Sequence, residues 1–366
     1  MAIVRIKSFA ILFVAAWLRL FTTAFLNRTL RRAPLGLGVL LFSRVCIVHA
    51  MSSLAGAARM LDGTATAKAI QGELALEIAQ LRASHGIVPG LGVVLVGNRP
   101  DSAMYVRMKA KVAAEIGVRV IDTKLDEGAS QAEVLAAVRA LNQDPSINGI
   151  LVQLPLPPHV DEGCVLETIA IEKDADGFLA SNVGRLVLQG GTSPLALPCT
   201  PAGCIELLQR HDVQIAGKHA VVLGRSNIVG MPVAALLQAC DATVTVCHSR
   251  TVDVKSFVQR ADILVAALGR AEYVRGDWLK PGCVVVDVGI NSIDDPTAKR
   301  GYRLVGDVAF DEAKEIASYI SPVPGGVGPM TIAMLMQNVL NLTKHSLGIP
   351  PKPLRAPGDY RYPLDA

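Results

Sequence analysis

Residues 217–251 read GKHAVVLGRSNIVGMPVAALLQACDATVTVCHSRT, and this stretch decides the fold. An apolar run, His219 to Leu223, leads into a loop bounded by two glycines, Gly224 to Gly230. A segment compatible with a helix follows, Met231 to Cys240, and a second apolar run, Ala242 to Cys247, closes the unit. Strand, glycine loop, helix and strand in this order form half of a dinucleotide-binding fold, in which a pyrophosphate binds where the loop meets the helix.

The loop departs from a regular glycine fingerprint because Ser226 stands where a second glycine is usual. Sites for NAD place an acidic side chain after the second strand to hold the ribose 2′-hydroxyl, whereas this chain has Ser249 and Arg250 there. A hydroxyl and a guanidinium suit a 2′-phosphate, and Arg225 in the loop adds a second cation. We therefore predict NADP as the cofactor. The alternative is an α/β crossover that binds no phosphate and leaves the arginine solvated.

The composition indicates an aliphatic, two-domain α/β protein. The chain has 366 residues, of which 51% are hydrophobic and only 4% aromatic, as is typical of buried parallel strands and helices. The formal charge of +4 is unevenly placed, because residues 1–61 contain eight basic side chains and no acidic one, which leaves −4 for the rest. A mildly acidic body argues against nucleic acid as a partner.

The first 60 residues have the character of a targeting leader. They are basic, acid-free and interrupted by proline and glycine, which fits an organelle transit peptide. Apolar runs at 8–18 and 35–50 are cut by Arg19 and Arg44, so neither has the length of a spanning helix. We predict a mitochondrial protein; a plastid location, and a cytosolic form from an internal start at Met51, stay open. Membrane association is expected only through the leader, if it stays attached.

From Asp62 onward, strand and helix patterns alternate, which predicts parallel sheets. The expected strands lie at 89–97, 118–125, 149–155, 219–223, 242–247, 261–268, 284–290 and 303–307, and the expected helices at 65–84, 101–116, 130–142, 200–211, 231–240 and 330–342. The last helix is apolar all round and is expected to be buried against the first domain. We predict a first domain at 61–197 that is completed by the C-terminal helix 329–348, a nucleotide-binding domain at 198–328, and a proline-rich tail at 349–366.

Several residues outside the nucleotide loop have the chemistry of a reactive site. Tyr105 and Lys109 are four residues apart on a predicted helix, so they share a face, and a desolvated lysine beside a phenol is a candidate proton-transfer group. A surface lysine packed on a tyrosine is the alternative. Gln153 ends an apolar strand, where ligands of open α/β sheets bind. Asp174 and Asp176 resemble a metal-binding pair, but no further ligands stand at EF-hand spacing, so we predict no metal. One of them facing a cleft suits the paired N–H donors of an amino-pyrimidine edge.

The seven cysteines form no Cys-x-x-Cys pair, and their number is odd. This usage predicts reduced thiols in a reducing compartment, and it favours neither a disulfide framework nor a zinc site.

Six motifs occur in one order along the chain. They are Tyr105-Val-x-x-Lys109, Gly149-Ile-Leu-Val-Gln-Leu-Pro-Leu-Pro157, Lys173-Asp-Ala-Asp-Gly177, Pro198-Cys-Thr-Pro201, Gly224-Arg-Ser-Asn-Ile-Val-Gly230 and Pro322-Val-Pro-Gly-Gly-Val-Gly-Pro329. Together they resemble the bifunctional methylenetetrahydrofolate dehydrogenase/methenyltetrahydrofolate cyclohydrolase family. The resemblance covers residues 61 to 347, and it implies two α/β domains, the second of them Rossmann-like, with a folate cleft between them, and a homodimer.

The resemblance also implies a reaction and its residues. The reaction is the oxidation of 5,10-methylenetetrahydrofolate by NADP, followed by hydrolysis of the methenyl product to 10-formyltetrahydrofolate. The implied catalytic residues are Lys109, Gln153, Tyr105 and Asp176. The implied substrate contacts are these four with Leu154, Pro155, Pro324, Gly325, Gly326, Val327 and Gly328. The implied cofactor contacts are Gly224, Arg225, Ser226, Ser249 and Ile290, to which the argument for a 2′-phosphate adds Arg250.

Two other functions stay open at this point. One keeps the fold but drops an activity, as in a dehydrogenase alone or one that uses NAD. The other is a catalytically idle folate-binding protein, against which the presence of Lys109, Gln153 and Asp176 argues.

Overall fold

The structure is a computed structural model that describes residues 57–188, 193–298 and 301–351, with the backbone alone at 100–103. Most of the predicted leader and most of the predicted tail lie outside the described residues. In chain order the first half contains β1 (Arg59–Met60), α1 (Gly63–His85), β2 (Gly90–Val96), α2 (Pro100–Ile116), β3 (Arg119–Leu125), α3 (Gln131–Gln143), β4 (Gly149–Val152), α4 (Glu162–Glu167), a 3₁₀ turn (Ile171–Lys173) and α5 (Ala180–Val187).

The second half is built in the same alternating way. It contains α6 (Cys199–Arg210), β5 (His219–Leu223), α7 (Gly230–Ala239), β6 (Thr243–Cys247), α8 (Val254–Val258), β7 (Ile263–Ala266), a 3₁₀ turn (Gly276–Trp278), β8 (Val284–Asp287), β9 (Asn291–Asp294), β10 (Tyr302–Val305), α9 (Phe310–Ala313), β11 (Tyr319–Ile320) and α10 (Val327–Ser346).

Local signals fix the ends of the helices in the first half. The carboxylate of Asp62 accepts the backbone N–H of Ala65 and caps α1, and Ser130 forms a reciprocal capping box with Glu133 at the start of α3. Helices α1 and α2 end where Gly86 and Gly117 adopt left-handed conformations, with φ of 68° and 89°. The strands of the first sheet lie in the short segments between these capped helices.

Two parallel sheets form the core of the described chain. The first has the order β3-β2-β4, and the second has the order β1-β11-β8-β7-β5-β6. The central strands β2, β7 and β8 are buried along their whole length, because helices cover both faces. Strands β9 and β10 form a separate antiparallel pair. Since all strands of a parallel sheet point the same way, the loops at their carboxyl ends meet along one edge.

The second sheet begins earlier in the chain than expected. Arg59 and Met60, which the sequence places in the leader, form β1 and pair with β11. The Arg59 guanidinium lies 4.4 Å from the centroid of the Tyr319 ring, and the Leu61 N–H donates to the carbonyl of Ile320 at 2.9 Å. The end of the leader at residue 60 stays a prediction, and Arg59 and Met60 already belong to the second sheet. A strand of two residues at a sheet edge, exposed on both faces, carries no hydrophobic pattern from which to predict it.

Helix α10 is the longest element of the second half, and it packs mainly on α1 and α6. Most of its side chains are buried, as its all-round apolar sequence predicts. Its one buried lysine, Lys344, is paired with Glu77 of α1. The helix therefore lies against elements from both halves of the chain. Within the described residues, no helix combines the length and the apolarity that crossing a membrane requires.

Candidate active site

The amine of Lys109 and the amide of Gln153 are brought together by a helix and a strand end. Lys109 lies on α2, and its Nζ donates to Oε1 of Gln153 at 3.1 Å. Gln153 directly follows β4, and its backbone N–H donates to the Val94 carbonyl at 2.9 Å, which extends the β4–β2 ladder by one residue. Its Nε2 donates to the Leu154 carbonyl at 2.9 Å. Because the amide nitrogen is engaged there, the amide oxygen faces the lysine.

Tyr105 lies one turn before Lys109 on the same face of α2. Both side chains are half-buried, whereas Arg107 and Met108 between them are exposed. Val106 is buried in the core and anchors this part of the helix. The helix therefore presents a phenol and an amine side by side, as the i, i+4 spacing predicts.

The two aspartates of the 174–176 segment have different environments. Asp174 is 2% exposed, and its two oxygens accept hydrogen bonds from three backbone N–H groups and one amide. The donors are Gly177 N (3.0 Å), Phe178 N (3.3 Å), Leu179 N (3.0 Å) and Asn182 Nδ2 (2.8 Å). Asp174 thus closes a turn and has no capacity left for a ligand. In the described part of the chain, no group of three His, Cys, Asp or Glu side chains is placed to hold a metal ion.

Asp176 is half-buried and lies in the electrostatic field of Lys109. Burial raises the pKa of its carboxyl to about 6, Lys109 opposes this rise, and the charge of Asp174 adds to it. Oδ1 lies 4.0 Å from the thiol sulfur of Cys199. The site therefore combines an amine, an amide and a carboxyl whose pKa is raised to about 6.

The loop at 322–328 is fixed to the start of α1. The carbonyl of Gly325 accepts hydrogen bonds from the backbone N–H of Thr64 at 2.9 Å and from its hydroxyl at 3.3 Å. Gly325 has a φ of 106°, which favours glycine, and a Cβ at Gly63 would come within 1.7 Å of the Gly326 carbonyl oxygen. The loop leads directly into α10. Cis peptide bonds precede Pro155 and Pro324, so both proline-containing segments of the predicted substrate site share this geometry.

In the nucleotide loop, both boundary glycines are required by the chain itself. Gly224 has a φ of 116°, and a Cβ there would meet the Ala267 carbonyl oxygen at 2.2 Å. A Cβ at Gly230 would meet the Gly224 carbonyl oxygen at 2.4 Å. The loop folds tightly onto itself and onto the end of β7, so these glycines allow a close crossing of backbones in addition to any approach of a phosphate.

Ser226 does more in this loop than replace a glycine. Its hydroxyl oxygen accepts the backbone N–H groups of Val229 and Gly230, each at 3.2 Å, at the start of α7. Its carbonyl accepts the Met231 N–H at 3.0 Å. The serine therefore satisfies the N–H of Val229, just before α7, and that of Gly230, its first residue, while its own hydroxyl proton is left to donate to an anion at the helix N-terminus.

The predicted cofactor residues lie along one edge of the second sheet. The register pairs Leu223 with Cys247, which places the loops that carry Arg225 and Arg250 next to each other. Arg225, Ser249 and Arg250 are all exposed. The Arg250 N–H donates to Nδ1 of His248 at 3.2 Å, within a turn that follows β6. Two cations and a hydroxyl thus stand where the sequence predicts recognition of a 2′-phosphate.

Ile290 connects the cofactor edge to the substrate loop. It follows β8, is 47% exposed, and its Cδ1 lies 4.0 Å from the position of a Cβ built on Gly328. The predicted strand to Ile290 ends earlier, at Asp287, because the Asp287 side chain turns the chain by accepting the Gly289 N–H at 3.0 Å.

A pair of buried carboxylates, Asp287 and Asp307, is the feature of this edge that sequence reasoning missed. Asp307 accepts three consecutive backbone N–H groups of the loop after β7, at Leu268 (2.5 Å), Gly269 (3.0 Å) and Arg270 (2.8 Å). Asp287 accepts the N–H groups of Asp307 and Val308, each at 2.9 Å. Burial raises the pKa of Asp287 to about 7, and these hydrogen bonds oppose the rise. An aspartate at the end of a buried apolar run, Asp287, was the signal available in the sequence.

Comparison with known proteins identifies the family of this chain. Residues 61–176 match the catalytic domain of the tetrahydrofolate dehydrogenase/cyclohydrolase family, and residues 198–347 match its NAD(P)-binding domain. The chain belongs to the tetrahydrofolate dehydrogenase/cyclohydrolase family. The resemblance seen in the six sequence motifs is thereby confirmed.

Relatives in this family include proteins of plant organelles. The chain is 52% identical over 302 residues to bifunctional protein FolD 4, chloroplastic, of Arabidopsis thaliana, covering 82% of this chain and 84% of the relative. It is 49% identical over 285 residues to bifunctional protein FolD 1, mitochondrial, of the same plant, covering 78% and 81%.

A solved structure supports the two-domain α/β architecture. The crystal structure of N5,N10-methylenetetrahydrofolate dehydrogenase-cyclohydrolase from Trypanosoma brucei, complexed with NADP cofactor and inhibitor, is 47% identical to this chain. It superposes with a TM-score of 0.77 and covers 80% of this chain and 99% of that one. The predicted fold class and the NAD(P)-binding domain are confirmed.

Proposed function

We propose that the protein oxidises 5,10-methylenetetrahydrofolate with NADP⁺ and hydrolyses the methenyl product to 10-formyltetrahydrofolate. The observation that carries this proposal is the 3.1 Å hydrogen bond from Lys109 to Gln153, with Asp176 in the electrostatic field of the same lysine. Membership of a dehydrogenase/cyclohydrolase family and similarity to bifunctional relatives support both activities.

The oxidation step depends mainly on positioning. When bound, NADP⁺ supplies the nicotinamide that accepts a hydride from the one-carbon bridge. We assign Gly224, Arg225, Ser226, Ser249 and Arg250 to holding the cofactor, because they lie along one edge of the second sheet. Ile290 is assigned to the point where cofactor and substrate meet, since it lies beside Gly328 of the substrate loop. For well-oriented reactants, such positioning is worth up to about 7–11 kcal/mol of the barrier.

The hydrolysis step needs proton transfer, and we assign it to Lys109. The methenyl substrate is a cation that water attacks at its one-carbon bridge. Nζ of Lys109 is assigned to accepting a proton from that water and then delivering one to a ring nitrogen. Gln153 orients the amine by accepting its hydrogen bond. Tyr105, one turn away on the same helix face, is assigned to packing along the folate.

Asp176 is assigned to the pterin end of the substrate. An ionised carboxylate accepts two N–H donors, such as those of an amino-pyrimidine edge, through charge-assisted hydrogen bonds. Leu154, Pro155 and the loop from Pro324 to Gly328 are assigned to the faces of this flat ligand. Each side chain of the site thus has one proposed role.

A coupled assay of the purified protein tests the proposal. The chain is given 5,10-methylenetetrahydrofolate with NADP⁺ or with NAD⁺, while reduced cofactor and the methenyl chromophore are followed together. Reduction of NADP⁺ without accumulation of the methenyl product is the expected result. Methenyl product that persists beyond its spontaneous hydrolysis would mean that the protein is a dehydrogenase alone. Faster turnover with NAD⁺ would overturn the choice of cofactor. No reduction of either cofactor would indicate a binding protein without catalytic activity.

We also propose the finer organisation that the sequence predicts. The folate domain spans 61–197 and is completed by helix 329–348, the NADP domain spans 198–328, and the protein is a homodimer. Light scattering during gel filtration tests the dimer, and a mass of one chain would exclude it.

The proposed location is the mitochondrion. The basic, acid-free leader supports an organellar address, as does similarity to one relative named mitochondrial and one named chloroplastic. Residues 1–60 fused to a fluorescent protein will show the organelle, and plastid fluorescence would correct the choice. Carbonate extraction of membranes separates a tethered leader from a cleaved one.

A further inference from the structure

The buried face of α10 contains one amide, Asn338, which is 5% exposed. Burying an amide is unfavourable unless its donors and its acceptor are paired. Nδ2 donates to the carbonyl oxygens of Ala175 at 2.9 Å and Leu197 at 2.7 Å, and Oδ1 accepts the Leu197 N–H at 3.3 Å. The amide is therefore fully used, and every one of these partners lies outside its own helix.

The first partner of Asn338 fixes the residue before Asp176. The Ala175 N–H donates to the Ile150 carbonyl of β4 at 3.2 Å, and the Ala175 carbonyl accepts from Asn338. The space beneath is tight, because a Cβ on Gly149 would come within 3.1 Å of the Ala175 side chain. Ala175 is therefore held between β4 on one side and Asn338 on the other. The backbone that carries Asp176 is thereby positioned relative to β4, the strand that Gln153 directly follows.

The second partner of Asn338 is Leu197, which holds the segment that leads to Cys199 beside Asp176. Leu197 is held through both its N–H and its carbonyl, and Cys199 follows two residues later. The Cys199 sulfur lies 3.5 Å from Nδ2 of Asn338, 3.6 Å from the Ala175 carbonyl and 4.0 Å from Oδ1 of Asp176. Burial raises the pKa of this thiol well above its usual value, so it stays a neutral packing partner of the carboxylate.

Helix α10 also carries the substrate loop at its start, about 16 Å along the axis from Asn338 at 1.5 Å per residue. The same rigid element therefore contacts the cleft through the loop before Val327 and through the amide of Asn338.

We propose that Asn338 is a positioning residue for the folate substrate, which acts by holding the Ala175–Asp176 backbone against Leu197 and Cys199. It does not touch the substrate. It sets the place at which the Asp176 carboxylate meets the N–H donors of the bicyclic ring. The inference rests on the role assigned to Asp176 in the proposed function.

Asn338→Ser tests this, with Thr343→Val as the matched control. Thr343 is a fully buried polar residue of the same helix, whose hydroxyl bonds only to the Val339 carbonyl in the contacts described, at 2.7 Å. We expect Asn338→Ser to raise KM for methylenetetrahydrofolate about tenfold, which corresponds to the loss of about 1.4 kcal/mol, while KM for NADP⁺ changes less than twofold. Thr343→Val is expected to leave both constants unchanged.

A double-mutant cycle separates positioning from general loosening. If Asn338 acts through Asp176, then Asn338→Ser added to Asp176→Asn causes no further rise in the folate KM. Equal rises in both KM values, or fully additive effects in the double variant, would overturn the inference. If Asp176→Asn alone leaves the folate KM unchanged, the role assigned to Asp176 is wrong. The inference depends on that role and is then wrong as well.

Cys199→Ala keeps the test decisive if Asn338→Ser does not fold. This change removes the sulfur that contacts Asn338 and Asp176 and leaves the amide in place. We expect a folate-selective rise in KM of about threefold, which corresponds to roughly 0.65 kcal/mol and is absent in the Asp176→Asn background. A rise that is equal for the two substrates would contradict the proposal.

Discussion

Nζ of Lys109 donates a 3.1 Å hydrogen bond to Oε1 of Gln153, although 44 residues separate them in the chain. The lysine belongs to a helix and the glutamine to a strand end, so the contact depends on how α2 packs on the first sheet. Because Nε2 of Gln153 is engaged by the Leu154 carbonyl, the orientation of the amide is fixed. The geometry of the pair is therefore set by the packing of the protein itself.

Lys109→Ala is expected to abolish hydrolysis of methenyltetrahydrofolate. Loss of a positioned proton-transfer group lowers a rate by roughly 10²–10⁴-fold, whereas hydride transfer depends more on orientation and falls less. The measurement is the decay of the methenyl chromophore above its spontaneous rate. Lys111→Ala is the control, because Lys111 is exposed on the same helix and pairs only with Glu115 in the contacts described. Wild-type hydrolysis in Lys109→Ala would remove the assigned role.

Gln153→Glu keeps the shape of the side chain and places a negative charge beside Lys109. A carboxylate at this position retains the Lys109 amine in an ion pair and hinders its use in proton transfer, which is worth roughly 10²–10⁴-fold in rate. We expect hydrolysis of methenyltetrahydrofolate at pH 7 to fall about tenfold or more. A rate identical to that of the wild type would show that Gln153 does not act through the lysine.

The pH dependence of folate binding is expected to follow Asp176. Its pKa of about 6 means that the carboxylate is ionised at pH 7.5 and increasingly protonated below pH 6. Since the ionised form accepts the N–H donors of the pterin, KM for the folate should rise as the pH falls through 6. Asp176→Asn should give a high KM with no such inflection. An inflection that persists in the variant would assign it to another group.

The same carboxyl is expected to reduce stability at neutral pH. A carboxyl whose pKa is raised by folding favours the protonated fold, so the cost is absent below the unfolded value near 4, builds between pH 4 and 6, and is complete above 6. Asp176→Asn should therefore stabilise the protein by about 2 kcal/mol at pH 7.5, allowing for partial exposure, and by nothing at pH 4. Urea unfolding at the two pH values measures this.

Asp174→Asn is the matched comparison for that measurement. The Asp174 carboxylate accepts four N–H donors. In the asparagine variant an NH₂ group replaces one of the accepting oxygens and faces N–H groups that can no longer be paired, which should destabilise the fold by about 1–3 kcal/mol. Stabilisation by Asp174→Asn, or none by Asp176→Asn at pH 7.5, would contradict this division of roles.

The sequence predicted the parts of the molecule in which local pattern decides structure. The strand, loop and helix around Gly224 follow from glycine placement and apolar runs, and the spacing of Tyr105 and Lys109 places both on one helix face. The hydrogen bonds of Asn338 could not be predicted in this way. Its partner Ala175 is 163 residues away, and a single asparagine in an apolar helix produces no periodic pattern. The same holds for Asp307 and the backbone of the loop after β7. Contacts that join distant backbone segments depend on the packed fold, and a sequence pattern reports only which faces are buried.

Discrimination between NADP and NAD is expected to depend on Arg225 and Arg250, the two exposed cations that the β5–β6 register places at one edge. A charge-assisted hydrogen bond to a phosphate contributes about 1.5–3 kcal/mol, so Arg250→Ala should lower kcat/KM with NADP⁺ by roughly tenfold or more and leave the value with NAD⁺ nearly unchanged. The double variant with Arg225→Ala should lose more, because the proposed site places both charges at the same 2′-phosphate. Arg260→Ala is the control, since Arg260 is exposed in the same domain and lies over the Phe257 ring, with 5.2 Å to its centroid. Equal losses with the two cofactors would mean that these arginines bind the pyrophosphate common to both, and the basis for choosing NADP would then have to lie elsewhere along the same edge.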